Sequence, residues 1–385
     1  MIPTIGCGSS IKNPISGGHD EEPVLGIEQS DRYLPLLKGK SVGVVSNHTS
    51  MINGVHLVDT LLSSGISIKK VFGPEHGFRG SHGAGDVVGK EVDEKTSLPI
   101  ISLYGKNKKP THNDFSGLDV IVFDIQDVGA RFYTYISTLF YVMETCSELD
   151  LPLIILDRPN PHGGYEDGPI LDIEYQSFVG ICKLPIVHGL TIGEFAKMVN
   201  GERWLNEKLK ANLTVIDMKG YEKQKIYDLP IPPSPNLQDM DAILLYPSLC
   251  FFEGTKLSIG RGTSSPFKVF GYPHMTPYDT VFVPKSIEGV ARNPPFEGEV
   301  CNGIDATPRV DWIRANRKLD LSMLLDAYDN FPDQDNFFNP FFDKLAGTNE
   351  LREQIQNGET ESQIRESWEK GLAEFRAAKS KYELY

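Results

Sequence analysis

The chain has 385 residues, a length that indicates two packed domains rather than a single core. Hydrophobic residues make up 40% of it, which is enough to build such cores and excludes a largely disordered protein. The formal net charge of −14 argues against a nucleic-acid partner, because that binding depends on clustered lysine and arginine. No run of about 18 apolar residues occurs, so no membrane-spanning segment is predicted.

The first residues differ in composition from the rest of the chain. Cys7 follows Thr4-Ile5-Gly6 and precedes a stretch rich in glycine, serine and proline, a pattern similar to a degraded lipobox with its tether. Residues 1–23 are therefore predicted to be a disordered tether with Cys7 as a candidate lipid anchor, and the protein is expected to be exported to the periplasm or outer surface. A plain disordered tail is the alternative.

The other cysteines show neither metal-ligand nor disulfide spacing and are expected to be buried as small apolar residues. They are Cys146, Cys182, Cys250 and Cys301.

Residues 40–157 alternate short β-branched runs with helical patterns, which is typical of βαβ units. Strands are predicted at residues 41–45, 68–72, 99–104, 120–125 and 153–156, and helices at residues 55–63 and 135–149. Several strands are apolar on consecutive residues, as burial on both faces requires. The pattern predicts an α/β fold with a doubly wound parallel sheet.

The second half of the chain is less regular. Its predicted elements are helices at residues 189–204, 319–328 and 349–385, a strand at residues 213–218 and a buried strand at residues 241–245. The predicted boundary separates a catalytic domain at residues 24–200 from a second domain at residues 201–385.

Polar side chains cluster directly after four of the predicted strands. The clusters are Asn47-His48-Thr49, residues 73–80 around Glu75, residues 124–131, and residues 157–161. In an open parallel sheet, ligands bind beyond the carboxyl ends of the strands. These clusters are therefore expected to meet at one binding edge.

Each cluster also has a structural interpretation. Glu75 and His76 could form a turn between glycines, and Asp124 and Asp127 could cap a helix or pair with Arg131. Asp157 and Arg158 could form an ion pair that closes a loop. The functional interpretation depends on the combination rather than on any single cluster.

The motifs of several enzyme classes are absent. The turn after the first strand lacks the glycine-rich dinucleotide fingerprint, and Gly260-Arg261-Gly262-Thr263 lacks the lysine of a P-loop. GxSxG and HExxH do not occur either, although Asp124, Asp127, His48 and His76 could still form a metal site. Neither a cofactor nor a metal is expected.

The remaining chemistry that these residues suit best is acid/base catalysis by carboxyl groups. Glycoside cleavage needs a proton on the leaving oxygen and stabilisation of a cationic sugar. Glu75 fits the acid, because Pro74, Phe78 and the glycines around it allow partial desolvation. Asp127 and His76 are the other catalytic candidates.

Four blocks of the sequence resemble the NamZ-type exo-β-N-acetylmuramidases. They are residues 73–80, residues 124–135, residues 157–161, and Glu253-Gly254-Thr255 with Gly260-Arg261-Gly262-Thr263. The resemblance runs from about residue 25 to the C-terminus. It implies an exo-acting hydrolase that releases N-acetylmuramic acid from the non-reducing ends of peptidoglycan-derived glycans. It further implies a Rossmann-like domain without a nucleotide, a smaller α+β C-terminal domain that closes the cleft, and Glu75 as the catalytic acid.

The substrate implied by this resemblance gives the arginines a role. N-acetylmuramic acid carries a lactyl carboxylate, which a planar guanidinium can hold through two hydrogen bonds. Arg79, Arg131 and Arg261 are the candidates, with ordinary ion pairing as the alternative. The predicted substrate-binding residues are Asn47, Arg79, Asp124, Gln126, Arg131, Tyr133, Asp157, Arg158, Asn160, Glu253 and Arg261.

Two other functions remain open. One is a metal-dependent hydrolase that uses the same cleft, and the other is a non-catalytic protein that binds muramyl saccharides of the cell wall. Retention, inversion and assistance by the substrate's own acetamido group are also left open by the sequence.

Overall fold

The computed structural model describes residues 22–79 and 91–385. Cys7, nearly all of the predicted tether and Gly80 at the end of the Glu75 block lie outside the described residues. Across the two described ranges, none of the helices combines the length and apolarity that crossing a bilayer requires.

The secondary structure alternates strands and helices through the first half of the chain. The described strands are β1 (Ser41–Ser46), β2 (Met51–Ile52), β3 (Val55–His56), β4 (Ser67–Gly73), β5 (Glu91–Val92), β6 (Pro99–Ser102), β7 (Val120–Asp124), β8 (Leu153–Leu156), β9 (Leu213–Ile216), β10 (Val269–Tyr272), β11 (Thr280–Phe282) and β12 (Cys301–Asp305). The described helices are α1 (Ser30–Leu37), α2 (Leu57–Ser63), α3 (His112–Phe115), α4 (Tyr135–Glu148), α5 (Ile192–Gly201), α6 (Met240–Leu249), α7 (Val310–Asn316), α8 (Ser322–Asp329), α9 (Phe341–Ala346), α10 (Glu350–Gln356) and α11 (Glu361–Lys379).

The larger sheet has seven strands in the order β5-β6-β4-β1-β7-β8-β9. Six of them run parallel, and β5 pairs antiparallel at one edge. The chain leaves β1 in both directions along the sheet, so the predicted doubly wound, Rossmann-like arrangement is confirmed. This topology brings the carboxyl ends of β1, β4, β7 and β8 to one edge.

Both faces of this sheet are covered. Val122 and Ile154 belong to the apolar cluster that includes α1 and α2, whereas Phe123 and Ile155 belong to the larger cluster on the other face. Each buried side chain of this kind contributes about 1.5–3 kcal/mol to folding. Burial on both faces explains why the strands are apolar on consecutive residues.

The smaller C-terminal part combines helices α7 to α11 with a three-stranded antiparallel sheet in the order β10-β12-β11. Its core is aromatic, and Phe252 stacks on Phe270 with ring centroids 4.5 Å apart. The predicted second, smaller α+β unit is confirmed. The four described cysteines are buried and unpaired, as predicted.

The predicted buried strand at residues 241–245 is wrong, because these residues form part of α6. This helix is buried on nearly all sides from Ala242 to Leu249, so its apolar residues show no helical period. Asp239 marks its start, since its side chain accepts a hydrogen bond from the Ala242 amide at 2.9 Å.

The helix predicted at residues 55–63 begins two residues later than expected. Val55 and His56 instead pair with β2 in a hairpin, and Asn53 and Gly54 at its turn have φ values of 49° and 79°. Two positive φ values are what a type I′ turn requires, and Asn-Gly is its preferred sequence.

Candidate active site

A cavity of about 60 Å³ lies beyond the carboxyl edge of the larger sheet. Its walls come from the loop after β4, the start of α4, the proline-rich segment at residues 229–237 and the C-terminal part. The lining residues are Glu75, His76, Phe132, Tyr133, Thr134, Tyr135, Ser234, Asn236, Leu237, Tyr246, Arg261 and Phe267. The structure thus joins the predicted residues Glu75, His76, Tyr133 and Arg261 in one site.

Glu75 lies on a tight turn that directly follows β4. The Gly77 amide donates to the Pro74 carbonyl at 2.9 Å, and His76 between them has a φ of 69°. A non-glycine residue with positive φ is strained in such a turn, and strain of this kind concentrates at functional sites. The turn directs the half-buried Glu75 carboxyl to the cavity, where the Thr134 hydroxyl donates to its Oε2 at 3.0 Å.

Two buried tyrosines fix the wall of the cavity next to Glu75. The hydroxyls of Tyr133 and Tyr135 donate to the Pro233 carbonyl at 2.9 Å and 3.3 Å. Burial, followed by the charge of Glu75, raises the pKa of Tyr135 well above its usual range. Both phenols therefore stay neutral and act as fixed polar groups.

Arg261 supplies the cation of the cavity. Its Nε donates to Glu253 Oε1 at 2.7 Å, and its guanidinium lies over the Phe267 ring at 4.8 Å. Burial alone would lower the pKa of Arg261, but the neighbouring Glu253 raises it above its usual value. Its two terminal nitrogens make no hydrogen bond with any of the described residues and can receive an anionic ligand.

Asp127 lies outside the cavity wall and is buried. Its Oδ2 accepts from the Gly129 amide at 2.7 Å, and Oδ1 has no partner within the described ranges. Burial raises the pKa of Asp127 to about 7. His188 Nε2 lies 4.0 Å from Asp127 Oδ2, and burial lowers the pKa of His188 to about 3, so His188 is neutral at ordinary pH, whereas Asp127 changes its charge near pH 7.

The other predicted residues at this edge form a saturated network beneath the site. Arg158 holds Asp124 through two hydrogen bonds of 2.7 Å and 2.8 Å. Asp157 accepts from Thr191, Gly193 and Tyr385, although burial raises its pKa to about 6.

The amide side chains of the network join neighbouring loops. Gln126 donates to the Pro159 carbonyl at 2.6 Å, Asn160 donates to the Leu190 carbonyl at 2.9 Å, and Asn47 donates to the Tyr135 hydroxyl at 3.0 Å. None of these three side chains lines the cavity.

Two of the arginines predicted to bind substrate instead form hydrogen bonds or ion pairs within the protein. Arg131 is fully buried and donates to the carbonyls of Pro169, Leu184, Leu345 and Ala346 at 2.6–2.9 Å. Burial lowers its pKa to about 9. Arg79 binds Asp93 and Asp59, and neither arginine lines the cavity.

The sequence did not indicate Ser234, Asn236 and Leu237, because a segment with four prolines in six residues is typical of a linker. Asn236 is buried with its Oδ1 unpartnered among the described residues, while its Nδ2 donates to the Val290 carbonyl at 3.0 Å. His188 was also missed, and its only signal was a histidine between an apolar run and a glycine.

The metal site considered from the sequence does not assemble in the part of the chain that the structure describes. Asp124 is engaged by Arg158, and the described ranges contain no group of three or more histidine, cysteine, aspartate or glutamate side chains arranged to hold a metal ion.

The fold and the site together define a two-domain α/β protein with a carboxyl group and a guanidinium at the carboxyl edge of a parallel sheet. The family model described as exo-beta-N-acetylmuramidase NamZ, N-terminal, matches residues 42–241, and its C-terminal counterpart matches residues 244–385. The chain therefore belongs to the NamZ family.

Individual relatives agree with this assignment. The peptidoglycan beta-N-acetylmuramidase NamZ of Bacillus subtilis (strain 168) is 40% identical over 375 residues, which span 92% of this chain and 89% of that protein. Two DUF1343 family proteins of Bacteroides fragilis have similar crystal structures. One has a TM-score of 0.87 and 44% identity and covers 95% of this chain and 99% of its own. The other has a TM-score of 0.75 and 29% identity, with 94% and 99% covered.

Proposed function

We propose that this chain is an exo-acting glycoside hydrolase that releases N-acetylmuramic acid from the non-reducing ends of peptidoglycan-derived glycans. The observation that carries the proposal is the half-buried Glu75 carboxyl, which faces one cavity together with Arg261 in a chain of the NamZ family. Glu75 protonates the leaving glycosidic oxygen, and Arg261 binds the lactyl carboxylate of the terminal sugar.

Glu75 is suited to proton transfer by its position. Its carboxyl is partly withdrawn from water, and the hydrogen bond from Thr134 to Oε2 leaves Oε1 as the oxygen that carries and delivers the proton. The neutral tyrosines beside it add no competing charge.

The second half of the reaction needs a group that stabilises or attacks the sugar cation. Glu75 is the only carboxyl among the described residues that line the cavity, while Asp127 is buried below it and has its pKa raised by burial to about 7. This arrangement supports assistance by the 2-acetamido group of the substrate, with Glu75 as the single acid/base group. Progressive fluorination of the acetamido methyl would then slow hydrolysis strongly, whereas an unchanged rate would contradict this route.

The function is tested by incubating the purified protein with a muramyl disaccharide and with an aryl N-acetylmuramide. We expect free N-acetylmuramic acid from both, at the same rate with and without a chelator. Loss of activity on chelation would instead support a metal-dependent hydrolase. Binding of the disaccharide without release would support a wall-glycan binding protein.

We also propose that the protein acts outside the cytoplasm, attached through Cys7. Support comes from the location of peptidoglycan and from the composition of the stretch around Cys7. Metabolic labelling with a fatty-acid analogue should mark the protein of intact cells, and Cys7→Ala should abolish the label. An unlabelled protein in the cytoplasmic fraction would contradict both parts.

A further inference from the structure

A second cavity of about 570 Å³ adjoins the Glu75 cavity. Arg261 lines both, so the two spaces are neighbours across one side chain. The volume of the second cavity lies within the range of roughly 300–1,000 Å³ that is usual for small-molecule sites. The first cavity is far smaller, so the part of a ligand that extends past Arg261 would occupy the second cavity.

The walls of the second cavity are largely apolar. Leu257 and Ile259 are buried within it, and Phe296 and Phe341 contribute aromatic rings. Phe341 is 37% exposed, although it is a large apolar residue. Phe296 has a φ of 60°, an outlier for a bulky side chain and one that needs support from its surroundings. Aromatic rings that are exposed, as in Phe341, or partly exposed, as in Phe296, suit the apolar faces of sugar rings.

Most polar groups of the second cavity are used by the protein itself. The Thr255 hydroxyl donates to the Phe252 carbonyl at 2.8 Å, and Asn339 Nδ2 donates to the carbonyls of Glu253 and Thr255 at 3.2 Å. Lys256 is exposed and forms no ion pair within the described ranges, whereas Arg261 is balanced by Glu253. The cavity therefore suits a ligand with apolar faces and one negative charge near Lys256.

We propose that this cavity binds the leaving part of the glycan, and that Lys256 pairs with the lactyl carboxylate of the next muramic acid along the chain. The inference rests on the proposed function. Peptidoglycan glycan alternates N-acetylmuramic acid with N-acetylglucosamine, so a carboxylate recurs at every second sugar. With the glycosidic bond of the terminal sugar at Glu75, the third sugar is the first one in the leaving part that carries a charge.

This assignment makes Lys256 a determinant of chain-length preference. A muramyl disaccharide ends at the uncharged second sugar, while a tetrasaccharide also presents the third. The ion pair is solvent-accessible, so it should favour the tetrasaccharide by about fivefold in kcat/KM, an advantage that high salt reduces.

The experiment compares kcat/KM for peptide-free disaccharide and tetrasaccharide, both with terminal muramic acid. The ratio of the two values is measured in the wild type, in Lys256→Gln, in Lys256→Arg and in Lys210→Gln as a matched change at an exposed lysine outside the cavity. We expect Lys256→Gln to bring the ratio close to one, and Lys256→Arg and Lys210→Gln to keep it.

A wild-type enzyme that hydrolyses both glycans equally well would overturn the inference, as would a Lys256→Gln variant with an unchanged ratio. A preference for disaccharide that retains its stem peptide, without any preference for the longer glycan, would assign the cavity to peptide instead. Failure of the proposed function looks different, because then neither glycan nor an aryl N-acetylmuramide releases N-acetylmuramic acid.

Discussion

Arg131 and Arg261 have the same side chain but opposite roles in their surroundings. The terminal nitrogens of Arg131 donate to four main-chain carbonyls. Arg261 donates only from Nε, to Glu253, and its terminal nitrogens face the cavity without a protein partner among the described residues. Carboxyl groups show the same difference, because Asp124 is bound by Arg158, whereas Glu75 accepts one hydrogen bond from Thr134 and faces the cavity. A polar residue at a strand end is thus a candidate for ligand binding only if the protein leaves its hydrogen-bonding groups unused.

The largest effect is expected from Arg131→Met, which tests the structural side of this contrast. Four carbonyls would lose the hydrogen bond from Arg131, and only Leu184 would keep another donor, the Leu171 amide, so the free energy of unfolding should fall by at least about 3 kcal/mol. Urea denaturation followed by circular dichroism measures it. The folded fraction should still bind muramyl ligands with wild-type affinity, and a stable variant that has lost binding would reverse the assignment.

Glu75→Gln tests the proposed role of Glu75 as the catalytic acid. It removes the transferable proton but keeps the size of the side chain, so hydrolysis of a muramyl disaccharide should slow by about 100-fold or more, equivalent to about 2.7 kcal/mol in activation free energy. The loss should be smaller for an aryl muramide with a good leaving group, which departs with little protonation. A purely structural Glu75 would lower the melting temperature and affect both substrates alike.

Asp127→Asn tests whether burial raises the pKa of the acid beneath the site. The pKa of Asp127 is raised to about 7 in the folded state, so the wild type loses stability as the pH rises from about 4 to about 7. Asparagine cannot ionise, and the stability of the variant relative to wild type should increase by about 2 kcal/mol between pH 5 and pH 7. His188 is common to both proteins. A difference that does not vary with pH would show that Asp127 is ionised throughout.

Arg261→Gln should have the smallest effect of the four and the most selective one. Loss of the charge-assisted hydrogen bonds should lower kcat/KM for an aryl N-acetylmuramide by about tenfold more than for the matching N-acetylglucosaminide, which lacks the lactyl carboxylate. Arg79→Gln is the matched control, because Arg79 is bound to Asp59 and Asp93. Equal losses on both substrates would remove the carboxylate role of Arg261.

The sequence predicted the sheet well because short runs of consecutive β-branched residues are typical of strands that are buried on both faces. It failed at α6, where burial on nearly all sides removes the helical period, although Asp239 offered a capping signal. The Asn53-Gly54 turn was likewise available as a hairpin signal.

The candidate site was predictable in part. Glu75 and Arg261 could be found because their blocks combine glycine with charge. The sequence could not show that Arg261 faces the cavity while Arg131 is buried, because the burial of Arg131 depends on carbonyls more than 200 residues away along the chain. The segment at residues 229–237 is held by contacts that are also remote in sequence, such as Tyr133 with Pro233 and Asn236 with Val290, so local composition gave no indication that it lines the cavity.

The four carbonyls bound by Arg131 also limit how the molecule can move. Pro169 and Leu184 belong to the part matched by the N-terminal family model, and Leu345 and Ala346 to the part matched by the C-terminal one. Swinging the halves apart about a hinge would remove Leu345 and Ala346, two of the four hydrogen-bond partners, from this buried cation, and that loss opposes such an opening. The cleft is in this sense preformed, and the end of a glycan is expected to enter it without a hinge opening of the two halves.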